Sequence, residues 1–314
     1  MKKAILSVDI GGSKYVAGLV DLQGNVLYRR KYIWDGFSAQ KVLSDLISAM
    51  EAVPKNSEEE IIAIGMTIPG LADTKKGIWI SSSFMGIYNL SIGSIMHEHF
   101  GLPVYIENDC NACALAEKMF GRCRHIEHFL YLTVSNSIGG AIVINGEVYQ
   151  GAFGCAGEVG LIQVNADDYL NESQSHRMPL EDCASGRGLV NSYLMLGGKR
   201  KIDGVCPDGV NIARLAREGD GVAKRAFCKE GKYLGQAIAA CCLILNPERV
   251  IIGGGLSLAF DQFGNILRAT VEKEMNVSGS KCPMIEATAL GYDGGLIGAA
   301  AVAKKEFQCD LERL

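Results

Sequence analysis

Residues 101–117 read GLPVYIENDCNACALAE. The β-branched and aromatic run Val104-Tyr105-Ile106 reads as a buried strand, and the Ala- and Leu-rich residues after Asp109 read as a helix. Between them, Glu107-Asn108-Asp109 forms the turn, so a carboxylate is delivered to the carboxyl end of a strand. In open α/β sheets, ligands bind beyond those strand ends, which makes Asp109 a candidate catalytic residue. Asn108 or Asp109 read alone is equally a helix N-cap, and this turn by itself leaves both readings open.

Outward from this turn the chain repeats one pattern. Residues 4 to 31 alternate apolar and polar positions, with Gly11-Gly12 and Asp21–Asn25 as turns, and predict an antiparallel meander of three strands. Residues 39 to 53 carry apolar side chains at helical spacing, and Pro54 ends the helix. Ile61 to Ile68 predicts a strand closed by Pro69-Gly70, and Leu90 to Phe100 a helix ahead of the strand at Val104. The order then begins again. Phe129 to Val134 predicts a strand, Ser135 to Gly140 a small-residue turn, Ala141 to Ile144 a second strand, and Glu147 to Tyr149 a third beyond the Asn145-Gly146 hairpin. A mainly helical stretch from about Ser185 to Leu245 ends at Asn246-Pro247, Arg249 to Ile252 is a strand, and Asp293 to Lys305 a closing helix. Two halves that each open with a meander predict a duplicated α/β unit, and clefts between domains favour ligands.

The 314 residues are enough for two domains, and 48% apolar against 21% charged residues describes a soluble globular chain. A net charge of −4 without long Lys/Arg runs argues against nucleic acid or an anionic membrane as partner. The longest apolar run, Ala237 to Leu245, is far short of the roughly 20 residues of a membrane span. The N-terminus reads as a strand and not as a signal peptide. Eleven scattered cysteines suit free thiols in a reducing cytoplasm, and Cys110-x-x-Cys113 and Cys241-Cys242 read as helix core packing.

The hairpin Asp9-Ile10-Gly11-Gly12-Ser13-Lys14 offers backbone N–H groups to phosphate oxygens, and Asp9 offers an oxygen ligand to Mg²⁺, directly or through water. No Walker P-loop pattern occurs. Together with Ile68-Pro69-Gly70, Ile106–Glu117, Ile138–Gly151, Gly157-Glu158-Val159-Gly160, Asn246–Ser257 and Gly294–Ala300, this hairpin resembles the ROK family of sugar kinases and related regulators, within the hexokinase, actin and Hsp70 superfamily. The resemblance implies two ribonuclease-H-like (actin-like ATPase) α/β domains around a central cleft: 1–118 with the helix 293–314, and a larger 119–292. It implies ATP and Mg²⁺ as cofactors and Asp109 as the base that takes a proton from a sugar hydroxyl. Gly70, Asn108, Glu158 and Glu181 would meet the sugar. Gly11, Gly12, Ser13, Lys14, Asn136, Ser137, Gly139 and Gly140 would hold phosphates, and Gly253, Gly254 and Gly255 the adenosine end.

The chain departs from the family pattern in four places. Leu161 stands where a histidine usually serves both the sugar site and an adjoining zinc, and Ser83 stands for a common Asn. The second phosphate loop reads Ser135-Asn136-Ser137-Ile138-Gly139-Gly140, with two glycines fewer than usual, which restricts backbone approach to phosphate. The usual zinc loop is missing: residues 162 to 182 hold no cysteine and His176 as their one histidine, short of the four ligands of a structural zinc. The resulting expectation is an ATP-dependent kinase for the C6 hydroxyl of a hexose or a modified hexose, cytoplasmic and homodimeric, with no nucleic acid and no membrane partner. The rival expectations are a catalytically weak or inactive sugar-binding regulator without a DNA-binding domain, and an ATPase acting on a non-sugar partner. Metal analysis of the purified protein is expected to find zinc far below one equivalent; stoichiometric zinc would refute that reading.

Overall fold

The computed structural model describes residues 1–54, 58–167, 175–275 and 281–312. Contacts group them into two units. The first comprises Met1–His125, Gln150–Cys155 and Tyr292–Leu314, the second Ile126–Tyr149 and Ala156–Gly291.

In the first unit, β1 (Lys2–Ile10), β2 (Lys14–Asp21) and β3 (Val26–Ile33) form the antiparallel meander expected from their alternation. Helix α1 (Ala39–Glu51) is capped by the Ser38 hydroxyl, which accepts from the Lys41 N–H, and it buries Val42, Leu46, Ala49 and Met50. It stops two residues short of the expected Val53, although Val53 still packs into the core. Strand β4 (Glu59–Ile68) lies parallel to β1, and a small antiparallel sheet of β5 (Leu71–Asp73), β6 (Ile78–Ser82) and β7 (Ile87–Leu90) follows. The periodicity gave no sign of that sheet, and Leu90 closes its last strand, so α2 spans Ile92–Phe100 and not Leu90–Phe100. β8 (Val104–Asn108) lies parallel to β4, and α3 (Asp109–Met119) starts directly at its end. The main sheet has the order β3-β2-β1-β4-β8.

The second unit opens with β9 (Phe129–Val134), β10 (Ile138–Ile144) and β11 (Glu147–Val148). The expected turn Ser135–Gly140 is shorter than read: β10 already starts at Ile138, and Gly139 and Gly140 pair with Thr133 and Leu132. Gly140 is small for packing and not for turning, since a Cβ there would lie 2.7 Å from Val159 Cγ2 and 2.8 Å from the Gly157 carbonyl. A second unforeseen hairpin joins β12 (Gln163–Asp167) and β13 (Ser175–Pro179). Helices α4 (Leu180–Ala184), α5 (Gly186–Met195), α6 (Gly209–Arg217) and α7 (Gly221–Leu245) make up the helical stretch, and Asn246, with φ 45°, ends α7 before Pro247. β14 (Arg249–Gly253), α8 (Phe260–Glu274) and β15 (Met284–Ala287) complete the unit. Its sheet runs β11-β10-β9-β14-β15, with three antiparallel strands followed by two parallel pairings, the same layout as the first.

Helix α9 (Gly294–Glu312), longer than the expected span ending at Lys305, returns the chain to the first unit. Its Leu296, Ala300 and Ala303 share a core with Ile5, Val20 and Ala63. No helix among the described residues is long and apolar enough to cross a membrane. The paired cysteines of α3 and α7 lie buried in their helices.

In α7, Glu230 is 1% exposed, and neither of its carboxylate oxygens has a hydrogen-bond partner among the described residues. Burial pushes its acid form well above the usual value of 4.5. The folded protein therefore keeps a proton that the unfolded chain gives up, and stability falls as pH rises above about 4.5, by at most about 1.4 kcal/mol per pH unit. Glu230→Gln removes this term, so its melting temperature should gain on the wild type progressively as the pH rises above about 5. A constant difference across that range would contradict the assignment.

Candidate active site

In the first unit, Asn108 ends β8 and caps α3: its Oδ1 accepts from the N–H groups of Cys110 (3.0 Å) and Asn111 (3.3 Å). Its Nδ2 donates to the Gly70 carbonyl at 3.2 Å, so the cap also ties the turn to the end of β4. Gly70 itself has φ 102°, and a Cβ would lie 2.3 Å from the Ser81 carbonyl; no other residue fits. Asp109 follows, half-buried, with Oδ1 accepting from the Cys110 N–H at 3.0 Å. Burial, and next the neighbouring Asp9 carboxylate, push its pKa up to about 6.

Asp9 sits at the end of β1, held by a 2.8 Å hydrogen bond that the Thr67 hydroxyl donates to its Oδ1; Thr67 Oγ1 in turn accepts from the Ile10 N–H at 3.0 Å. Burial raises the Asp9 pKa against the opposing pull of that bond and of Lys14. The Lys14 ammonium lies 4.1 Å from the centre of the Tyr292 ring, and burial, with help from Lys31, lowers its pKa. The hairpin closes through Gly11 N–H to Lys14 O at 3.0 Å, and Trp34 Nε1 donates to Gly11 O at 2.9 Å. The exposed Gly12 and Ser13 are left with N–H groups that have no partner among the described residues. Two acids, a lysine and unpaired backbone donors are thus brought together at one end of one sheet, a set suited to phosphate and a hard cation. Thr67, Trp34 and Glu107 belong to this set and escaped the sequence reading. A lone hydroxyl inside the apolar run Ile61–Ile68 was the available signal for Thr67.

The second unit assembles the other expected residues. Asn136 and Ser137 form the tight turn between β9 and β10, closed by Ser135 N–H to Ser137 O at 2.9 Å and braced by Gly186 N–H to Ser135 O. Arg187 Nε donates to the Asn136 carbonyl at 3.2 Å, and its guanidinium lies 3.7 Å from Glu181 Oε1. The other oxygen of Glu181 accepts from the Ile138 N–H at 3.1 Å, so this carboxylate fixes the start of β10. Glu158 is exposed, and Leu161, three residues on, is 65% exposed. Gly253 ends β14, and Gly254, with φ 76°, passes so close to β9 that a Cβ would meet the Val134 carbonyl at 2.5 Å; Gly255 stays open. Of the expected zinc-loop span, residues 168–174 lie outside the described residues. Among the described residues, no group of three or more His, Cys, Asp or Glu side chains is placed to hold a metal ion.

Sheets of this order, with acids and glycine turns at their strand ends, define an α/β fold related to that of actin, hexokinase and ribonuclease-H-like ATPases. Residues 5–306 match the model of the ROK family, and the chain belongs to that family. The chain is 29% identical to a glucokinase of Streptomyces coelicolor, over 96% of this chain and 97% of that one. It is 28% identical to the xylose repressor of Caldicellulosiruptor bescii, over 95% of this chain and 77% of the repressor. Among solved structures, a ROK family glucokinase from Streptomyces griseus in complex with glucose and AMPPNP superposes with a TM-score of 0.83 at 27% identity, over 96% of this chain and 99% of that one.

The proximity of the two acids is directly measurable. Carbon-detected NMR of the side-chain carboxyls should show Asp109 titrating near pH 6, and Asp9→Asn should move that midpoint to lower pH. A midpoint unmoved by Asp9→Asn would show that the two carboxylates do not interact.

Proposed function

We propose that the protein is an ATP-dependent kinase that phosphorylates a hydroxyl, at C6, of a hexose or hexose derivative. The observation that carries this reading is Asp109: a half-buried carboxylate at a strand-to-helix turn, with one oxygen on the Cys110 N–H and a pKa of about 6. Such a group is ionised at neutral pH yet basic enough to accept a proton, the balance a general base needs. Glucose and AMPPNP in the Streptomyces griseus relative support the sugar and the nucleotide of the proposal.

In this reading Asp109 takes the proton of the sugar hydroxyl as that oxygen attacks the γ-phosphoryl group. Asn108 and Gly70 orient the sugar, joined by Glu158 and Glu181. The Gly12 and Ser13 N–H groups and the Lys14 ammonium receive phosphate oxygens, with Asn136, Ser137, Gly139 and Gly140 as the second phosphate loop and Gly253–Gly255 at adenosine. Most of the acceleration in phosphoryl transfer comes from such positioning and charge neutralisation. Asp9 fits Mg²⁺: it is an oxygen donor whose charge is opposed only partly by Thr67 and Lys14 and which repels Asp109. A bound Mg²⁺ there would offset the negative charge of the nucleotide phosphates. The proposal includes two ribonuclease-H-like domains, 1–118 with 293–314 and 119–292, supported by the repeated strand order and by the grouping of α9 with the first sheet. It also includes a homodimer, a cytoplasmic location and no nucleic-acid partner, for which the family resemblance and the charge balance are the support.

A second reading, a sugar-binding regulator without turnover, is favoured by one observation: the matched relatives include a repressor, over 95% of this chain. ADP release across a panel of free and substituted hexoses separates the two. Sugar-dependent release lowered about 10²- to 10⁴-fold by Asp109→Asn is the expected outcome. Sugar binding without ADP release would make the protein a regulator, and turnover surviving Asp109→Asn would remove Asp109 from the mechanism.

A further inference from the structure

Glu107, one residue before the Asn108–Asp109 turn, is a charged side chain only 9% exposed near the end of the half-buried strand β8. Its Oε1 accepts from the Asn108 N–H at 2.7 Å and from Asn111 Nδ2 at 3.1 Å, so one oxygen grips the turn at its first residue and at the first turn of α3. Its Oε2 accepts from Gln150 Nε2 at 3.0 Å. Gln150 opens the short segment Gln150–Cys155, which packs with the first unit although the chain on either side of it belongs to the second. Three donors and no acceptor meet this carboxylate, the pattern of an ionised group held by its hydrogen bonds. Glu306 of α9 is the charged group facing it from the neighbouring element; its like charge and the stronger effect of burial raise the Glu107 pKa against those three bonds.

We propose that Glu107 and Gln150 are positioning residues for the base: the bridge Gln150–Glu107–Asn108/Asn111 holds the turn that aims Asp109 at the attacking hydroxyl. This rests on the kinase reading above. Asp109 has one oxygen fixed by a hydrogen bond within this turn, so a shift of the turn moves the base bodily. Glu107 cannot drift without giving up three bonds at once, and Gln150 supplies the outer bond, from a side chain that contributes no charge of its own.

The test exchanges the polarity of the outer bond. Gln150→Glu sets a second carboxylate against Glu107 Oε2; where both are ionised they repel, and as the pH falls they can share a proton and restore a hydrogen bond. The expected result is a kcat lower than wild type by roughly tenfold or more at about pH 8, since small misplacements of reacting groups cost up to about 10²-fold. The ratio to wild type should recover toward one as the pH is lowered, and the KM for ATP should stay unchanged. The double variant Glu107→Gln with Gln150→Glu restores a donor facing an acceptor and should return kcat at pH 8 to within about threefold of wild type. A Gln150→Glu enzyme with wild-type kcat at pH 8, or a double variant no better than the single, would overturn the proposal.

Amide hydrogen exchange of Cys110 and Asn111 on the same proteins supplies a readout independent of turnover. Faster exchange in Gln150→Glu at about pH 8, reversed in the double variant, shows the bridge holding the turn; unchanged exchange refutes it. A wild type without sugar-dependent ADP release fails the kinase reading, while the exchange result still decides whether the bridge holds the turn.

Discussion

The close approach of α9 to the first sheet is the constraint on which the candidate site depends. A Cβ at Gly65 of β4 would lie 1.9 Å from the Ala299 carbonyl, one at Gly298 2.8 Å from the Ala112 backbone, and one at Gly295 2.4 Å from the Asp9 carboxylate. Helix and sheet meet backbone to backbone. Because the same helix touches Asp9 at one point and the helix that carries Asp109 at another, its seat helps fix how far apart the two acids are. The Asp109 pKa of about 6 depends in part on that separation, through the Asp9 charge.

Each candidate carboxylate is held through one of its oxygens by a neighbour in its own unit. Thr67 binds one oxygen of Asp9, the Cys110 N–H binds one of Asp109, and the Ile138 N–H binds one of Glu181. Trp34 fixes the Gly11 carbonyl and so orients the hairpin without occupying its outward N–H groups. In the second unit Arg187 joins Glu181 to the Asn136 turn. The shape of that turn rests on these side-chain and backbone braces. Gly139 and Gly140 pair within β10, and Gly140 packs closely on Gly157 and Val159.

Much of this was legible in the residues. The two meanders, the strand-to-helix turn at Asp109 and the helix stop at Asn246-Pro247 were readable because alternation, capping residues and turn residues act locally. The sheet β5–β7 was not, since strands of three to five residues are too short to show a period. The start of β10 was misread because glycines needed for tight packing look the same as glycines needed for turning. The parts of the site that stayed hidden are those joined across the sequence: Thr67 to Asp9, Gln150 to Glu107, Trp34 to Gly11. Glu107 lies within residues 101–117, but its importance comes from the donors that face it, Asn108 N–H, Asn111 Nδ2 and Gln150 Nε2, and the last of these meets it only in the fold.

Helix α9 has one more implication, for the order in which the site comes into being. Asp9 at the end of β1 and Asp109 at the start of α3 are made early, but the helix whose Leu296, Ala300 and Ala303 pack on the first sheet is made nearly two hundred residues after Asp109. That helix gives the apolar surface of Ile5, Val20 and Ala63 the cover of Leu296, Ala300 and Ala303 and touches both Asp9 and the helix of Asp109. The acid pair is therefore completed by contacts from a segment far along the chain, and a change in α9 reaches the site without touching a residue of it.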